Sequence, residues 1–483
     1  MITILDCYTD EPSGLGVPPY LGTYPRYIAG YIGSVNYLTI DDLRFFKYYD
    51  LDEKKKEINR KTNIRIYNLS KNVKGIRDIL DKTSKLIVVL GVHTPGKYLS
   101  AIPGTLKGVS DLIKDIECEK ILTGPAVYGT SLEGGKFAER ADLKIFDEVK
   151  ADIVSDYKEI ADCSINGAEI VKQIPYTIIA EIETSRGCKK RVPCSFCTEP
   201  LKNKLEFREI KDIVNEIKAL NKQGVKHFRL GKQSDFFLWK EKEMEEMLKN
   251  IRKNCDIKTL HIDNIDPCFV TEEKVKLVTK YCSSGNVAAL GVETFDEDVA
   301  KSNNLNSDPE TSMKSIRIIN KYGSEIGENG MPLFIPGINL LFGLKDESKK
   351  THEANMSYLK KILDEGLLLR RINVRQVAIF SGTQLDRECG NKFIKKNKKH
   401  YWRWRDEIRQ KIDNAMLKRL VPTDTVLKDV RMEIYDGNTT FGRQIGTYPL
   451  VIGVKERLEL GRFYDVKVTG HMLRSITSVV KKD

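Results

Sequence analysis

No stretch of this 483-residue chain approaches ~18 consecutive apolar residues, so no membrane-spanning helix is predicted. The amino-terminal MITILDCYTDEP has no basic segment leading an apolar one, which is unlike a signal peptide. Both absences predict a cytoplasmic protein. The 10 cysteines do not form a disulfide framework, because three crowd one loop and the other seven are scattered. Only one C-x2-C pair occurs, which removes the usual four-ligand zinc site built from two such knuckles. G-x-G-x-x-G is missing too, and with it the sharp dinucleotide fingerprint.

What is present describes a globular protein, with 41% hydrophobic and 31% charged residues. At roughly 100–200 residues per domain, this length predicts several domains. A formal charge of +12 favours an acidic partner, whether RNA, an acidic protein surface or an anionic cofactor. It does not choose among them, and much of the excess is lysine in the helix-like stretches 240–253 and 393–400, where solvated faces are the ordinary use.

The chain is organised around EIETSRGCKKRVPCSFCTEP (181–200), in which Cys188, Cys194 and Cys197 follow a strand-like run as C-x5-C-x2-C. Three soft thiolates on one loop suit an iron–sulfur cluster with one open corner, whereas structural zinc would want a fourth ligand. Here the sequence resembles the radical S-adenosylmethionine (radical SAM) superfamily. The resemblance implies that the three cysteines hold a [4Fe–4S] cluster and that its fourth iron takes the amino and carboxylate groups of S-adenosyl-L-methionine. Phe196, the aromatic inside C-x2-C, matches the family loop; the first spacing is x5 where x3 is common, so residues 189–193 form a longer arc. A zinc loop, or three unrelated reduced thiols, is the alternative.

From Tyr176 to about Phe380, strand-like and helix-like runs alternate six times, with strands predicted at 177–183, 226–231, 259–264, 286–293, 337–343 and 372–380. Helix-like stretches such as 208–223 and 309–322 lie between them. Six units match the partial (β/α)6 barrel of the family, whose site lies at the carboxyl ends of the strands. By that resemblance, Gly231 and Gln233 stand in the methionine-binding segment, which here has no acidic member. Glu293 and Thr294 stand where ribose hydroxyls are held, and Gly343 at the adenine contact. His261 and Asp263 alternate onto one face of the third strand and are expected to line the substrate or S-adenosylmethionine site.

Ahead of this core, strands are predicted at 2–7, 64–69, 85–94 and 119–129, with helix-like stretches at 71–82 and 105–117, a β-α alternation that reads as a Rossmann-like doubly wound domain. A Gly- and Pro-rich segment follows the first strand, and Gly91, His93, Gly124 and Pro125 punctuate later strand ends. Small residues there let a flat ligand approach the backbone. Residues 1–150 look like the cobalamin-binding domain that precedes many radical SAM cores. No D-x-H-x-x-G supplies a lower axial histidine, so the histidine-off mode of binding is implied. The methylthiotransferases of the same superfamily carry three further amino-terminal cysteines. Cys7, Cys118 and Cys163 are spaced unfavourably for such a second cluster.

Residues 151–175 read as a linker, 176–395 as the core, 396–430 as a helical connector and 431–483 as a small β-barrel-like domain of five short strands, similar to the TRAM or oligonucleotide-fold barrels of some relatives. Arg443, Tyr448, Lys455, Arg457, Arg462, Tyr464, Lys467 and Arg474 would suit RNA, a protein, or closure of the core. The resemblance implies cobalamin-dependent C-methylation of an unactivated carbon. The expected partners are a protein or small-molecule substrate and a low-potential electron donor such as ferredoxin or flavodoxin. Transfer-RNA modification of the methylthiotransferase type is the alternative enzyme, and a non-redox metal- or RNA-binding module the alternative outside enzymes.

Overall fold

The runs ITILDC and KLIVVL become the buried strands Ile2–Glu11 and Lys85–Val92, because a parallel sheet covered on both faces selects continuous aliphatic runs. Ile2–Glu11 pairs in parallel with Asn36–Thr39 on one side and Lys85–Val92 on the other; Glu119–Thr123 and then Glu148–Lys150 complete the row. Numbered along the chain, the order is 2-1-3-4-5, a doubly wound arrangement with its switch point between Ile2–Glu11 and Lys85–Val92. The computed structural model describes residues 1–11, 14–16, 18–58, 66–92, 99–131, 134–140 and 144–482. These divide into a first unit (Met1–Glu133, Ala138–Ile182, Lys211–Lys226) and a second (Gly134–Phe137, Glu183–Ile210, His227–Asp483). The units therefore cut across the sequence-based spans.

Two amino-terminal expectations are corrected. The described part of 64–69, residues 66–69, is not a strand; Asn36–Thr39 takes that place. The backbone N–H groups of Asn68 and Ser70 instead donate to the buried carboxylates of Asp41 (3.1 Å) and Asp42 (2.8 Å). Asp42 also completes a capping box with Thr39, which fixes the junction of the strand and the helix Ile40–Tyr49. The expected linker 151–175 holds the helix Tyr157–Asn166 and the 3-10 turn Gly167–Gln173. They pack on the helix Thr23–Ile32 at backbone contact: a Cβ on Gly30 would lie 1.9 Å from the Cys163 carbonyl oxygen, and one on Gly167 would lie 1.9 Å from that of Arg26.

In the second unit, His227–Gly231 pairs in parallel with Thr259–Ile262, and Asn264–Ile265, Asn286–Glu293, Phe334–Phe342 and Arg371–Gln376 pair in parallel in that order. These strands belong to the partial (β/α)6 core, and Ile179–Glu183, at the boundary of the first unit, precedes them along the chain. The third strand breaks at Asp263, its two halves serving two neighbours. Helices fill the crossovers, among them Glu241–Asn254 and Pro309–Gly323.

Val426–Asp436, Thr439–Gln444, Val451–Val454, Ser475–Val480 and Phe463–His471 close, in that spatial order, into the carboxyl-terminal barrel. Its apolar interior is continuous with the amino-terminal ends of the core strands: Val287 and Ile335 share one buried cluster with Leu427, Val430, Leu450 and Ile452. The small barrel is thus a floor under those strands. Among the described residues no helix is long and apolar enough to cross a membrane.

Candidate functional site

The cysteine loop begins where Ser185–Arg186 pairs with Glu206–Phe207. Gly187, at φ 78°, opens it; a Cβ there would lie 2.3 Å from the Lys204 backbone, so only glycine fits. The Cys194–Cys197 half is anchored on two sides. Ser195 donates through its N–H to the Asn303 carbonyl (3.0 Å) and through its hydroxyl to Asn303 Oδ1 (2.7 Å), while Leu385 N–H donates to the Ser195 carbonyl (2.7 Å). The longer x5 arc places Lys190, whose ammonium lies 3.2 Å from Cys194 Sγ and also donates to the Asn304 carbonyl. Its backbone N–H lies 3.5 Å from Cys188 Sγ.

Burial pushes all three thiols up, Cys197 to about 12, where the neighbouring Cys194 adds to the effect. Thiolates form in such a place when a bound cation supplies the missing charge. Among the described residues no three His, Cys, Asp or Glu side chains meet around one point as a single-ion site requires. A cubane cluster asks for a different arrangement, with each thiolate on a separate iron corner. Three partly buried thiols on one anchored loop fit that donor set.

Two strand ends beside the loop carry left-handed backbone at residues other than glycine. Glu293, at φ 59°, follows a β-bulge between Leu290 and Glu293, and bulges re-aim side chains at sites. Burial raises its carboxyl to about 7, with Arg375 opposing the rise. Lys232, at φ 56°, follows Gly231 and pairs with the Glu183 carboxylate at 2.8 Å. Glu183 therefore brings an acid to the segment whose own sequence has none. The other expected contacts are engaged within the protein. Gln233 is fully buried, donating to the Leu230 carbonyl (2.9 Å) and accepting from the Thr184 hydroxyl (3.2 Å). Thr294 Oγ1 lies 3.3 Å from Asn355 Oδ1 and accepts from the Asp296 N–H (3.1 Å). Gly343 donates its N–H to Glu347 (2.7 Å) and lies under Ile394, and Phe196 packs against Val377, Ile379 and Leu385.

His261 and Asp263 face the floor. His261 Nδ1 accepts the Thr447 N–H (2.9 Å), and burial lowers its pKa to about 3. Asp263 forms a fully buried ion pair with Arg229 and accepts from the Tyr448 hydroxyl (3.3 Å). Tyr448 lies under two guanidinium groups, Arg229 at 5.9 Å and Arg371 at 4.4 Å. The sequence left Tyr448 open to RNA, a protein, or closure of the core, and its contacts here are with Asp263, Arg229 and Arg371 of the core. Lys190, Glu183 and Arg375 were missed. The alternation Arg371, Asn373, Arg375 along one strand was the available signal for the last of these.

In the first unit, a Cβ on Gly91 would meet the Pro125 ring at 2.6 Å, and one on Gly124 (φ 94°) would lie 2.9 Å from the Leu90 carbonyl oxygen. Close packing of neighbouring strand ends thus accounts for Gly91, Gly124 and Pro125. His93 lies outside the described residues. Tyr8, at φ 60°, sits in a bulge toward the carboxyl end of the first strand, beside the switch point. Cys118 precedes Glu119, which is in register with Ile2 through Lys85; Cys7 lies six residues further along the strand direction, about 20 Å at ~3.3 Å per residue.

The radical SAM superfamily model matches residues 182–341, a span that begins just before the cysteine loop and ends in the fifth core strand. Over 99% of its length the chain is 42% identical to an uncharacterized protein of Methanocaldococcus jannaschii, covering 93% of that protein. It is 23% identical to the ribosomal protein uS12 methylthiotransferase of Clostridium botulinum, over 82% of each. Among solved structures it resembles TsrM of Kitasatospora setae, a radical S-adenosylmethionine methyltransferase with cobalamin and a [4Fe–4S] cluster bound, with a TM-score of 0.50 and 12% identity over 80% of this chain and 73% of that one. Residues 182–341, the segment that carries Cys188, Cys194 and Cys197, thus form a radical SAM domain.

Proposed function

We propose that this protein is a cobalamin-dependent radical SAM methyltransferase of the cytoplasm, acting on an unactivated carbon of a protein or small molecule. The observation that carries the reading is the doubly wound 2-1-3-4-5 unit ahead of a radical SAM core, with a strained bulge at Tyr8 beside its switch point. When bound, the cluster with S-adenosyl-L-methionine supplies the radical chemistry, and cobalamin supplies the methyl group. Cys188, Cys194 and Cys197 would hold the cluster, and a low-potential donor such as ferredoxin or flavodoxin would reduce it.

The chain's own groups bind and exclude water. Glu293, with a carboxyl poised near neutrality, can both donate to and accept from ligand hydroxyls. Asn355, bonded to the Phe295 N–H (2.6 Å), holds the turn that aims Glu293. The ion pair of Lys232 with Glu183 offers both charges to an amino acid moiety. Below, the floor made by Arg229, Asp263 and Tyr448 keeps water from the amino-terminal end of the core.

A second reading, methylthiotransferase chemistry, is favoured by the Clostridium botulinum relative. The separation of Cys7 from Cys118 opposes it, since the two cannot share a cluster across about 20 Å. RNA binding by the small barrel is opposed by its pairing: Arg443 is bound at both ends of Glu433 (3.1 and 2.8 Å), and Lys467 pairs with Asp424 (2.7 Å).

Anaerobic reconstitution with iron, sulfide and hydroxocobalamin tests the proposal. One cluster per chain and a bound corrinoid without nitrogen superhyperfine splitting in electron paramagnetic resonance are expected. No corrinoid binding would remove the methylation reading and leave the radical SAM assignment in place.

A further inference from the structure

Three arginines of the second unit, Arg370, Arg409 and Arg474, converge on Asp413, and Arg405, whose guanidinium lies 4.8 Å from the Trp402 ring, stands one turn before Arg409. Arg370 stands just before the strand Arg371–Gln376, Arg405 lies on the helix Lys392–Ile408, and Arg409 opens the π-helical turn Arg409–Asp413. Arg474 comes from the connection between the last two barrel strands and lies 3.4 Å from Asp413, the acid that closes the π turn. The Nε atoms of Arg370, Arg405 and Arg409 are buried and have no hydrogen-bond partner. The Ile372 N–H also faces Asp413, so that carboxylate is shared between strand and arginines. Asp406, on the same helix, lies near Tyr401 and is exposed.

Burial and mutual repulsion lower Arg370 to about 9 and Arg409 to about 10; Arg371 and Arg474 act on the first, and Arg405 and Arg474 on the second. Burying the Nε donors of Arg370 and Arg409 without hydrogen-bond partners is costly, and the one carboxylate of Asp413 leaves positive charge in excess around it. A π turn in the middle of a helix is a further local cost, and such turns concentrate at functional sites. An anion at the centre would supply what the fold omits.

We propose that Arg370, Arg409 and Arg474 form a phosphate-binding subsite around Asp413. Guanidinium forks match phosphate oxygens in pairs, and several forks about one centre suit a multiply charged tetrahedral oxyanion better than a single carboxylate. The rim is open through Arg474, whose side chain is 41% exposed. The phosphate therefore enters from the surface, carried by a small phosphorylated ligand or by RNA. This inference is independent of the methyl-transfer proposal.

Calorimetric titration of the full-length protein with pyrophosphate, at fixed ionic strength, tests it. Binding should weaken at least tenfold in Arg370→Gln/Arg409→Gln and several-fold in Arg474→Gln. The ligand-free double variant should melt at or above the wild-type temperature, because like charges have been removed; should it fail to fold, the half-exposed Arg474→Gln variant carries the test. Competition by transfer RNA would identify RNA as the phosphate's source, and lack of competition a small ligand. No pyrophosphate binding, affinity unchanged by the substitutions, or tighter binding of polyglutamate than of pyrophosphate would overturn the proposal.

Discussion

The backbone N–H of Thr447 donates to Nδ1 of His261 at 2.9 Å, joining the floor barrel to the third core strand across 186 positions of sequence. Gly446 is required beside it, since a Cβ would lie 2.7 Å from the imidazole Cε1. The bond exists only while Nδ1 is unprotonated, and Nε2, 3.3 Å from the Ser284 carbonyl oxygen, carries the proton. The folded pKa of about 3 lies below the ordinary 6.5, so the unfolded chain takes up the proton first as pH falls. The stabilisation is complete above pH ~6.5 and is lost toward pH ~3, by on the order of 5 kcal/mol at the limit. Asp42 and Glu347, each raised to about 7, run the other way and gain stability on acidification. The difference between wild type and His261→Gln therefore isolates the histidine. Urea unfolding from pH 7.5 to 4 should show the variant less stable at pH 7.5, with the gap closing on acidification; a constant gap would refute the assignment.

The buried pair Arg229–Asp263 makes a second, separable prediction. Removing either partner leaves an uncompensated buried charge, so Arg229→Met and Asp263→Leu should each cost about 3–5 kcal/mol. The double variant should cost far less than their sum, because both charges leave together. Chemical denaturation of the four proteins of the cycle measures the coupling. Additive losses would mean that the two side chains do not depend on each other.

Much of the core was legible because its strands are short apolar runs punctuated by glycine and polar residues, and the structure ends several of them within one or two residues of the reading. The cysteine loop was legible for a different reason, since its ligand spacing is local. What could not be read depends on partners distant in sequence. Asn36–Thr39 is a strand because Ile2–Glu11 lies beside it, and residues 66–70 are not because Asp41 and Asp42 take their N–H groups. His261 and Asp263 were expected to line the substrate site from their alternation. Thr447 and Tyr448 of the floor barrel claim their side chains, and no local signal announced that. Gly30 and Gly167 are the nearest case to a readable clue, since paired small residues mark helices that touch at the backbone.

The two sets of cysteines should separate cleanly. Replacing Cys188, Cys194 and Cys197 together by Ala should abolish iron–sulfur absorption and the reductive cleavage of S-adenosyl-L-methionine. Cys7→Ala, Cys118→Ser and Cys163→Ser should each leave both signals. Cys7 is a buried member of the first unit's core, so Cys7→Ala should cost about 1 kcal/mol of stability without touching the chemistry. Loss of iron from any of these three variants would contradict the one-cluster assignment.

The last prediction concerns the floor. If residues 431–483 were an appended module, their deletion would leave a folded core. The shared cluster says otherwise, because Val287, Met331 and Ile335 of the core are buried in one cluster with Leu450, Ile452 and Val466. A polar contact is lost as well, since Gln444 donates to the Asn329 carbonyl at 2.8 Å. Deletion would expose the strand ends and strip acceptor and donor from His261, Asp263 and Asn329 together, at a cost above the roughly 5–15 kcal/mol that holds a typical domain folded. The truncated protein should be insoluble or should bind a hydrophobic dye strongly. RNA binding is therefore better examined with Lys455→Ala and Arg457→Ala in the full chain. Affinity for transfer RNA should be weak, and its salt slope should not change by the ~0.7 per lost contact that a phosphate-bound side chain gives on a single strand. A soluble, cluster-binding protein ending at residue 430 would show that the floor is dispensable.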